Sequence, residues 1–188
     1  EGTIKHIGLS THYPDIGILA AKNPEIESIM FSMNPAFDMF GTMEDIWEYR
    51  KEGVFDDDSL SSINPKRVEL YELCEKTGTA LTAVKGFAGG NLLSDEISPF
   101  GVALTPIQCI HYALEQKGVS SIFVGVDNVS ELEDSIKYCD ATDDEKDYTH
   151  VLKNAPKHSF EGQCTYCGHC APCSSQINIA MAIKFYDL

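Results

Sequence analysis

The sequence predicts an α/β fold built on a parallel sheet, and two observations lead to this prediction. Short runs of apolar and β-branched residues alternate with helix-like segments along the first three-quarters of the chain. These runs are apolar on both faces, which is typical of strands that helices cover. Alternation at this density implies right-handed βαβ units, so we expect four such units around one parallel sheet.

The four predicted strands are separated by segments long enough for helices. They are Ile4–Ser10, Ile26–Met33, Leu81–Lys85 and Ser121–Val126, and a glycine-rich stretch, 86–90, follows the third. After Tyr138 the pattern changes to polar and helical segments. We therefore expect two parts, an α/β part over residues 1–140 and a helical, cysteine-rich part over residues 141–188.

Helix starts are marked by capping residues followed by proline. Asn64-Pro65 predicts a helix through Glu75, and Thr105-Pro106 predicts one through Lys117. A glycine, at 78 and at 118, follows each helix and stops it. Further helices are predicted over 14–22, from Asn128 or Ser130, from Thr142 to about Asn154, and over 177–186.

The segment from Phe37 to Ile63 is too long for an ordinary connection between a strand and a helix. It carries three aromatic residues among many acidic ones: Trp47, Tyr49 and Phe55. Two interpretations remain open. The segment either shapes a substrate site at the carboxyl end of the sheet or covers that end without taking part in chemistry.

The composition excludes some classes of function. A net charge of −15 argues against nucleic acid, because phosphate binding needs clustered Lys and Arg. No run approaches the roughly 18 apolar residues of a membrane helix, and no secretory signal is visible at Glu1. We expect a cytoplasmic protein without a membrane partner. Since the chain lacks an initiator Met, we also expect it to be a fragment of a longer protein.

Four of the seven cysteines fall within ten positions and predict a metal site: Cys164, Cys167, Cys170 and Cys173. The first three have the spacing that ferredoxins use for a 4Fe-4S cluster, whereas the fourth comes one residue early. We prefer iron–sulfur to zinc, since structural zinc sites usually pair two distant knuckles. Whether the fourth thiolate serves this cluster or a second one stays open. Cys74, Cys109 and Cys139 are predicted to be small buried hydrophobes.

The predicted strands resemble the second half of the aldo/keto reductase barrel. Ile4–His12 is similar to its fifth strand, Ile29–Pro35 to the sixth, Ala80–Leu92 to the seventh with its phosphate loop, and Ser121–Ile136 to the eighth strand and following helix. The tail from Cys164 resembles the iron–sulfur branch of that family. The resemblance implies the C-terminal half of a (β/α)8 TIM-type barrel, followed by a small iron–sulfur segment.

The same resemblance implies an oxidoreductase that transfers hydride between NADP or NAD and a small carbonyl substrate, with a fused electron-transfer tail. The family's acid–base residues lie on the first four strands, so no catalytic residue can be assigned here. The implied cofactor-binding residues are Ser10 and Thr11 at the carboxamide, Lys85 at the nicotinamide, Gly86, Gly89 and Gly90 at the pyrophosphate, and Gly125, Val126, Glu131, Asp134 and Ser135 at the adenosine phosphate. Glu131 stands where the family usually has Arg or Gln, and an acid there repels a 2′-phosphate.

Purely structural interpretations of these residues also remain open. Ser10 and Thr11 can simply end a strand, the glycines can serve turns, and Lys85 can extend its amine to solvent. Two other functions are open as well: an electron-carrier or docking module without reductase activity, and a structural zinc domain.

The partners expected are a redox protein and a second copy of the chain. Half a barrel leaves two strand edges unpaired and exposes an inner face that we expect to be apolar, which favours a homodimer. The alternative is that the 37–63 segment or the cysteine tail covers that face.

Overall fold

The computed structural model describes residues 2–40, 63–154 and 173–186. Four strands form one parallel sheet in chain order: β1 (Gly8–Thr11), β2 (Ser28–Ser32), β3 (Ala80–Val84) and β4 (Val119–Ile122). This confirms the predicted α/β fold with a parallel sheet. The fourth strand lies earlier than the predicted 121–126, because its pairing with β3 already begins at Val119, opposite Leu81.

Helices follow the strands as the alternation predicts. They are α1 (Pro14–Ala21), α2 (Pro35–Phe40), α3 (Pro65–Thr77), α4 (Pro106–Leu114), α5 (Val129–Ile136), α6 (Asp143–Lys146), α7 (Thr149–Asn154) and α8 (Ile179–Tyr186), with 3₁₀ turns at Ala88–Leu93 and Lys137–Asp140. In the part of the chain that is described, no helix is both long and apolar enough to span a bilayer.

The predicted helix starts are confirmed at the level of hydrogen bonds. The Asn64 side chain accepts the Lys66 N–H at 2.9 Å, and Gly78 ends α3 in the left-handed conformation, with φ of 76°. Thr105 and Gln108 form a reciprocal capping box at the start of α4. That helix ends at Leu114, three residues before the predicted Lys117.

The predicted single helix from Thr142 to Asn154 is wrong, because the chain breaks into α6 and α7 at Asp147. The Asp147 carboxylate accepts the Thr149 N–H at 2.8 Å, and its carbonyl accepts the Gln108 amide at 2.8 Å. An aspartate that bonds to a backbone N–H two residues later competes with helix continuation. Similarly, α8 begins at Ile179 rather than Ile177, since Asn178 accepts the Met181 N–H at 3.0 Å and caps it.

One face of the sheet is apolar and packed against helices. Four strand side chains are fully buried on this face: Ile29, Phe31, Leu81 and Ala83. They are covered by side chains of α1 and α3, among them Ile18, Leu70, Tyr71 and Cys74. A second cluster lies between α2, the turn after β3, α4 and α7; it includes Phe37, Phe87, Leu92, Leu104, Cys109 and Val151. Val151 therefore joins the helical segment after residue 140 to the α/β part, and the expected division at residue 140 stays a prediction.

The opposite face of the sheet is mainly small and polar. One row of paired residues crosses all four strands: Ser10, Met30, Thr82 and Ser121. Ser10 and Ser121 are exposed, and the Thr82 and Ser121 hydroxyls lie 3.0 Å apart. The expectation of an apolar inner face is therefore wrong for most of this row, because three of its four positions carry Ser or Thr and only Met30 is large and apolar.

Candidate functional site

The carboxyl ends of the four strands bring most of the predicted cofactor residues to one edge of the sheet. Parallel strands in register share that edge: Thr11 pairs with Phe31, Ser32 with Val84, and Ala83 with Ile122. In barrels and open parallel sheets, ligands bind at this edge. It is therefore the candidate site.

The loop after β3 has an unusual backbone. Two non-glycine residues have positive φ, Lys85 at 62° and Ala88 at 50°, and Gly89 and Gly90 continue at 72° and 95°. For residues other than glycine this conformation costs roughly 1–2 kcal/mol each. Such strain persists where the surrounding structure holds it in place, and it concentrates at binding sites.

Residues 85–91, to which the resemblance assigns the cofactor and which we call the nucleotide loop for that reason, are anchored by apolar packing. Phe87, Ala88 and Leu92 are buried in the second cluster, whereas Gly89 and Gly90 are exposed. A Cβ at Gly86 would lie 3.0 Å from Ile122 Cδ1, so close packing on β4 also favours glycine there. The loop thus presents two glycines to solvent on a fixed base.

A buried residue that the sequence did not single out supports this loop. Asn34 is fully buried at the end of β2 and caps α2, because its side-chain oxygen accepts the Phe37 N–H at 2.9 Å. Its amide nitrogen donates to the Lys85 carbonyl at 2.9 Å. The only signal in the sequence is the Asn34-Pro35 pair, which directly follows the predicted strand Ile26–Met33.

An ion pair lies beneath Asn34, also unforeseen. The Asp38 carboxylate accepts hydrogen bonds from Arg67 Nε at 2.6 Å, Tyr71 at 2.8 Å and Tyr112 at 2.7 Å. Arg67 and Asp38 are both fully buried. Arg67 also donates to the Ser32 carbonyl and lies 4.5 Å from the centre of the Phe31 ring.

The electrostatics of this ion-pair cluster fix its protonation. Burial raises the pKa of Tyr71 and of Tyr112 well above the ordinary value. Burial alone would lower the pKa of Arg67, but the neighbouring Tyr71 and Asp38 outweigh it and raise that pKa. Arg67 therefore stays charged and both tyrosines stay protonated. Arg67 Nη1 and Ser32 Oγ are the two buried side-chain atoms without a hydrogen-bond partner among the described residues.

The predicted carboxamide residues at the end of β1 differ in availability. Ser10 is exposed on the polar face of the sheet. Thr11 is buried, and its hydroxyl accepts the Tyr13 N–H at 3.1 Å, a turn that ends the strand. The turn at the end of the strand therefore explains the Thr11 hydroxyl without a ligand, and Ser10 is the better candidate for a ligand contact.

The predicted adenosine-phosphate residues are engaged with their own helix. The Glu131 carboxylate accepts the Asp127 N–H and the Asn128 amide, both at 2.7 Å, and so caps α5. The Ser135 hydroxyl donates to the Glu131 carbonyl at 2.9 Å. Asp134 lies 2.7 Å from the Lys137 ammonium in an exposed ion pair.

Two further residues predicted for the adenosine-phosphate region, Gly125 and Val126, lie in the segment between β4 and α5. Gly125 is exposed, and a Cβ there would meet no atom within 4 Å. Packing therefore does not require glycine at position 125.

The predicted metal site is described only at its last ligand. Cys164, Cys167 and Cys170 lie outside the described residues. The Cys173 sulfur accepts the backbone N–H groups of Ile177 and Ser175, which lowers the pKa of its thiol. Within residues 2–40, 63–154 and 173–186, no group of three or more His, Cys, Asp or Glu side chains could hold a metal.

The isolated cysteines follow the prediction in two of three cases. Cys74 and Cys109 are buried, and burial raises the pKa of Cys109 to about 12. Cys139 is exposed, contrary to the prediction, because it lies in the surface turn Lys137–Asp140 that follows α5.

Comparison with solved structures identifies similar folds. The aldo-keto reductase AKR11C1 from Bacillus halodurans matches in its apo form with a TM-score of 0.52 and in its holo form with 0.53, each at 17% identity. Both matches cover 86% of this chain and 54% of the reductase, so the chain spans about half the length of that protein. No protein-family model matches the sequence, and no curated protein sequence matches it. The described part of the chain therefore has a fold similar to part of an aldo-keto reductase.

Proposed function

We propose that this chain is the cofactor-binding half of a nicotinamide-dependent, aldo-keto reductase-type oxidoreductase with a fused 4Fe-4S tail. The observation that carries the proposal is the nucleotide loop. Its left-handed residues lie at the carboxyl edge of a parallel sheet, where enzymes of this architecture bind ligands. The similarity of fold to an aldo-keto reductase supports the scaffold.

In this proposal the backbone of Gly89 and Gly90 contacts the pyrophosphate, while the buried Gly86 lets the loop pack against β4. Exposed glycines let a phosphate approach the main chain closely, and Gly89 and Gly90 are exposed. The Ser10 hydroxyl, exposed at the end of β1, meets the carboxamide.

The proposed nucleotide would supply a hydride when bound, while the residues of this chain bind and orient it. Gly125 and Val126, with α5, form the adenosine side of the proposed site. Glu131 lies in that region and favours a nucleotide without a 2′-phosphate, since like charges repel.

The proton for carbonyl reduction comes, in this proposal, from a part of the protein outside this chain. The two tyrosines of the buried ion-pair cluster are poor donors to a substrate. Tyr71 and Tyr112 are both buried and already donate to Asp38. The chain alone should therefore bind nucleotide without reducing a carbonyl compound.

The tail would hold the cluster through Cys164, Cys167, Cys170 and Cys173. The spacing of the thiols supports this, as do the two N–H groups donated to the Cys173 sulfur. Hydrogen bonds to cluster sulfurs tune the reduction potential of iron–sulfur centres. A redox partner protein is the proposed source or acceptor of the electrons.

Metal analysis of the anaerobically purified chain tests the tail. We expect iron and sulfide, and we expect Cys170→Ser to remove most of the iron. Cys109→Ser is the matched control, because Cys109 is buried in the second apolar cluster, away from the cysteine tail in sequence. Zinc in place of iron would support the structural-zinc alternative, and equal metal content in both variants would contradict the ligand assignment.

Calorimetric titration with NADPH and NADH tests the nucleotide site. One observation favours the electron-carrier alternative: Glu131, Asp134 and Ser135 already have partners in α5 or directly beside it. Iron without binding of either nucleotide would support that alternative and reject the reductase.

A homodimer through the open edges of the half-barrel remains part of the proposal. Large apolar side chains are exposed in the segments that follow both edge strands: Ile16 (44%) and Leu19 (69%) after β1, and Phe123 (60%), Leu132 (43%) and Ile136 (56%) after β4. Burying such residues favours association. Sedimentation at micromolar concentration tests it, and a monomer would reject it.

A further inference from the structure

One side chain connects the nucleotide loop to the interior of the protein. The Asn34 amide nitrogen donates to the Lys85 carbonyl at 2.9 Å, while its oxygen accepts the Phe37 N–H at 2.9 Å. The Asn34 side chain is fully buried, as is its bond to Phe37, whereas the Lys85 carbonyl at the other end is partly buried. The two ends of this amide therefore fix the start of the loop relative to the first turn of α2.

The Lys85 carbonyl is the point at which the loop turns. It also accepts the Ala88 N–H at 2.8 Å, so two donors hold one oxygen. Lys85 and Ala88, the residues on either side of this turn, both have positive φ. A left-handed conformation at a non-glycine residue persists only where contacts hold it, and the Asn34 amide is such a contact.

Asn34 is itself held from below. Its carbonyl accepts the Asp38 N–H at 3.0 Å, and the Asp38 carboxylate is fixed by Arg67 and two tyrosines. The ion-pair cluster thus fixes α2, and α2 fixes Asn34.

We propose that Asn34 is a positioning residue for the nucleotide loop, holding the Lys85 carbonyl so that Gly89 and Gly90 present their backbone to the pyrophosphate. The second part of this statement rests on the proposed function. The first part, that Asn34 holds the loop, stands on the hydrogen bonds alone. The two parts are therefore tested by separate measurements.

The test of the first part is Asn34→Asp in the full 188-residue chain. Aspartate caps a helix as well as asparagine does, so the bond from Phe37 is kept. Only the donor to Lys85 is lost, and an oxygen replaces it. The matched control is Asn64→Asp, the same change at the cap of α3, where the side-chain oxygen accepts the Lys66 N–H.

Hydrogen exchange of the amides in residues 86–92 is the readout. At pH 7 we expect roughly tenfold faster exchange in Asn34→Asp than in wild type, and no change in Asn64→Asp. At lower pH the introduced carboxyl becomes protonated and can donate to the Lys85 carbonyl again. The difference in exchange rate between Asn34→Asp and wild type should then disappear. General structural damage would instead give a difference in exchange rate that does not depend on pH.

The second part is measured by calorimetric titration with NADPH and NADH. We expect roughly tenfold weaker binding in Asn34→Asp and unchanged binding in Asn64→Asp, which corresponds to about 1.4 kcal/mol. If wild type binds neither nucleotide, the proposed function fails, and the exchange measurement still decides whether Asn34 holds the loop.

Equal exchange in both variants would overturn the first part, that Asn34 holds the loop. Nucleotide binding that Asn34→Asp leaves unchanged would overturn the second part, that this contact positions the loop for the pyrophosphate. If Asn34→Asp does not fold, as judged by circular dichroism, Asn34→Ser replaces it. Serine also caps the helix, but its hydroxyl is too short to replace the amide that reaches Lys85.

Discussion

The two sides of the candidate site are built differently. On the β2–β3 side, the nucleotide loop rests on an apolar cluster and a buried ion pair, and its backbone is held in left-handed conformations. On the β4–α5 side, Gly125 has open space around it, and Glu131 closes a helix cap. Both sides were predicted from the same resemblance.

The difference shows which part of the prediction has independent physical support. Backbone strain that the surrounding structure maintains, without an evident role in folding, is a feature of binding sites. Polar side chains that satisfy their own helix need no ligand to explain them. The loop is therefore the stronger candidate for nucleotide contact, and α5 is the weaker one.

The largest expected effect lies under the loop. Asp38→Ala leaves the Arg67 charge buried and unpaired, and it removes the acceptor of Tyr71 and Tyr112. Loss of one partner of a buried pair costs about 3–5 kcal/mol. Urea unfolding followed by circular dichroism measures the change.

Lys117→Ala is the control for this substitution, because it breaks the exposed ion pair with Glu72. We expect no measurable change from it, since solvent screens exposed pairs. Equal stability of the two variants would contradict the importance of the buried ion pair.

Thiol labelling compares the two sides directly. Cys109 packs under the loop, whereas Cys139 follows α5 and is exposed. Burial raises the pKa of Cys109 to about 12, so at pH 8 only about 10⁻⁴ of it is thiolate. We expect N-ethylmaleimide to modify Cys139 at least about 100-fold faster, as measured by peptide mass spectrometry. Similar rates in the folded chain would show that the base of the loop is open.

Local signals predicted most of the fold because they act within a few residues. Asn64, Thr105 and Gly78 cap helices by bonding to their own backbone neighbours, so spacing alone reveals them. The break at Asp147 was missed because part of its cause is distant in sequence. The Gln108 amide that holds its carbonyl lies 39 residues away.

The candidate site was predicted incompletely for the same reason. The glycines of the loop stand out in the sequence, but the residues that hold them do not. Asn34 and Lys85 are 51 residues apart, and Asp38 and Tyr112 are 74 apart. An aspartate among apolar residues, as in Pro35–Phe40, is the one signal in the sequence that could have indicated a buried partner.

Matched glycine substitutions separate the two sides further. Gly90→Ala places a side chain at φ of 95°, which costs roughly 1–2 kcal/mol although space is open. Gly125→Ala meets no atom and has no positive φ, so we expect almost no change. Thermal unfolding measures both effects. Equal losses of stability in the two variants would contradict the left-handed backbone conformation at Gly90.

The smallest expected effect concerns nucleotide preference. Glu131→Gln removes a negative charge from the proposed adenosine side, and we expect affinity for NADPH to rise a few-fold relative to NADH. The ratio of the two dissociation constants is the measurement. A ratio that does not change would place the 2′-phosphate away from α5.

The central claim is that a nicotinamide nucleotide binds at the loop after β3. Hydrogen exchange of the wild-type chain with and without saturating NADPH, and again with NADH, tests it most directly. The account predicts slowed exchange in residues 85–92, with a smaller change over 123–136. Exchange that neither nucleotide changes in residues 85–92, or protection confined to 123–136, would contradict it.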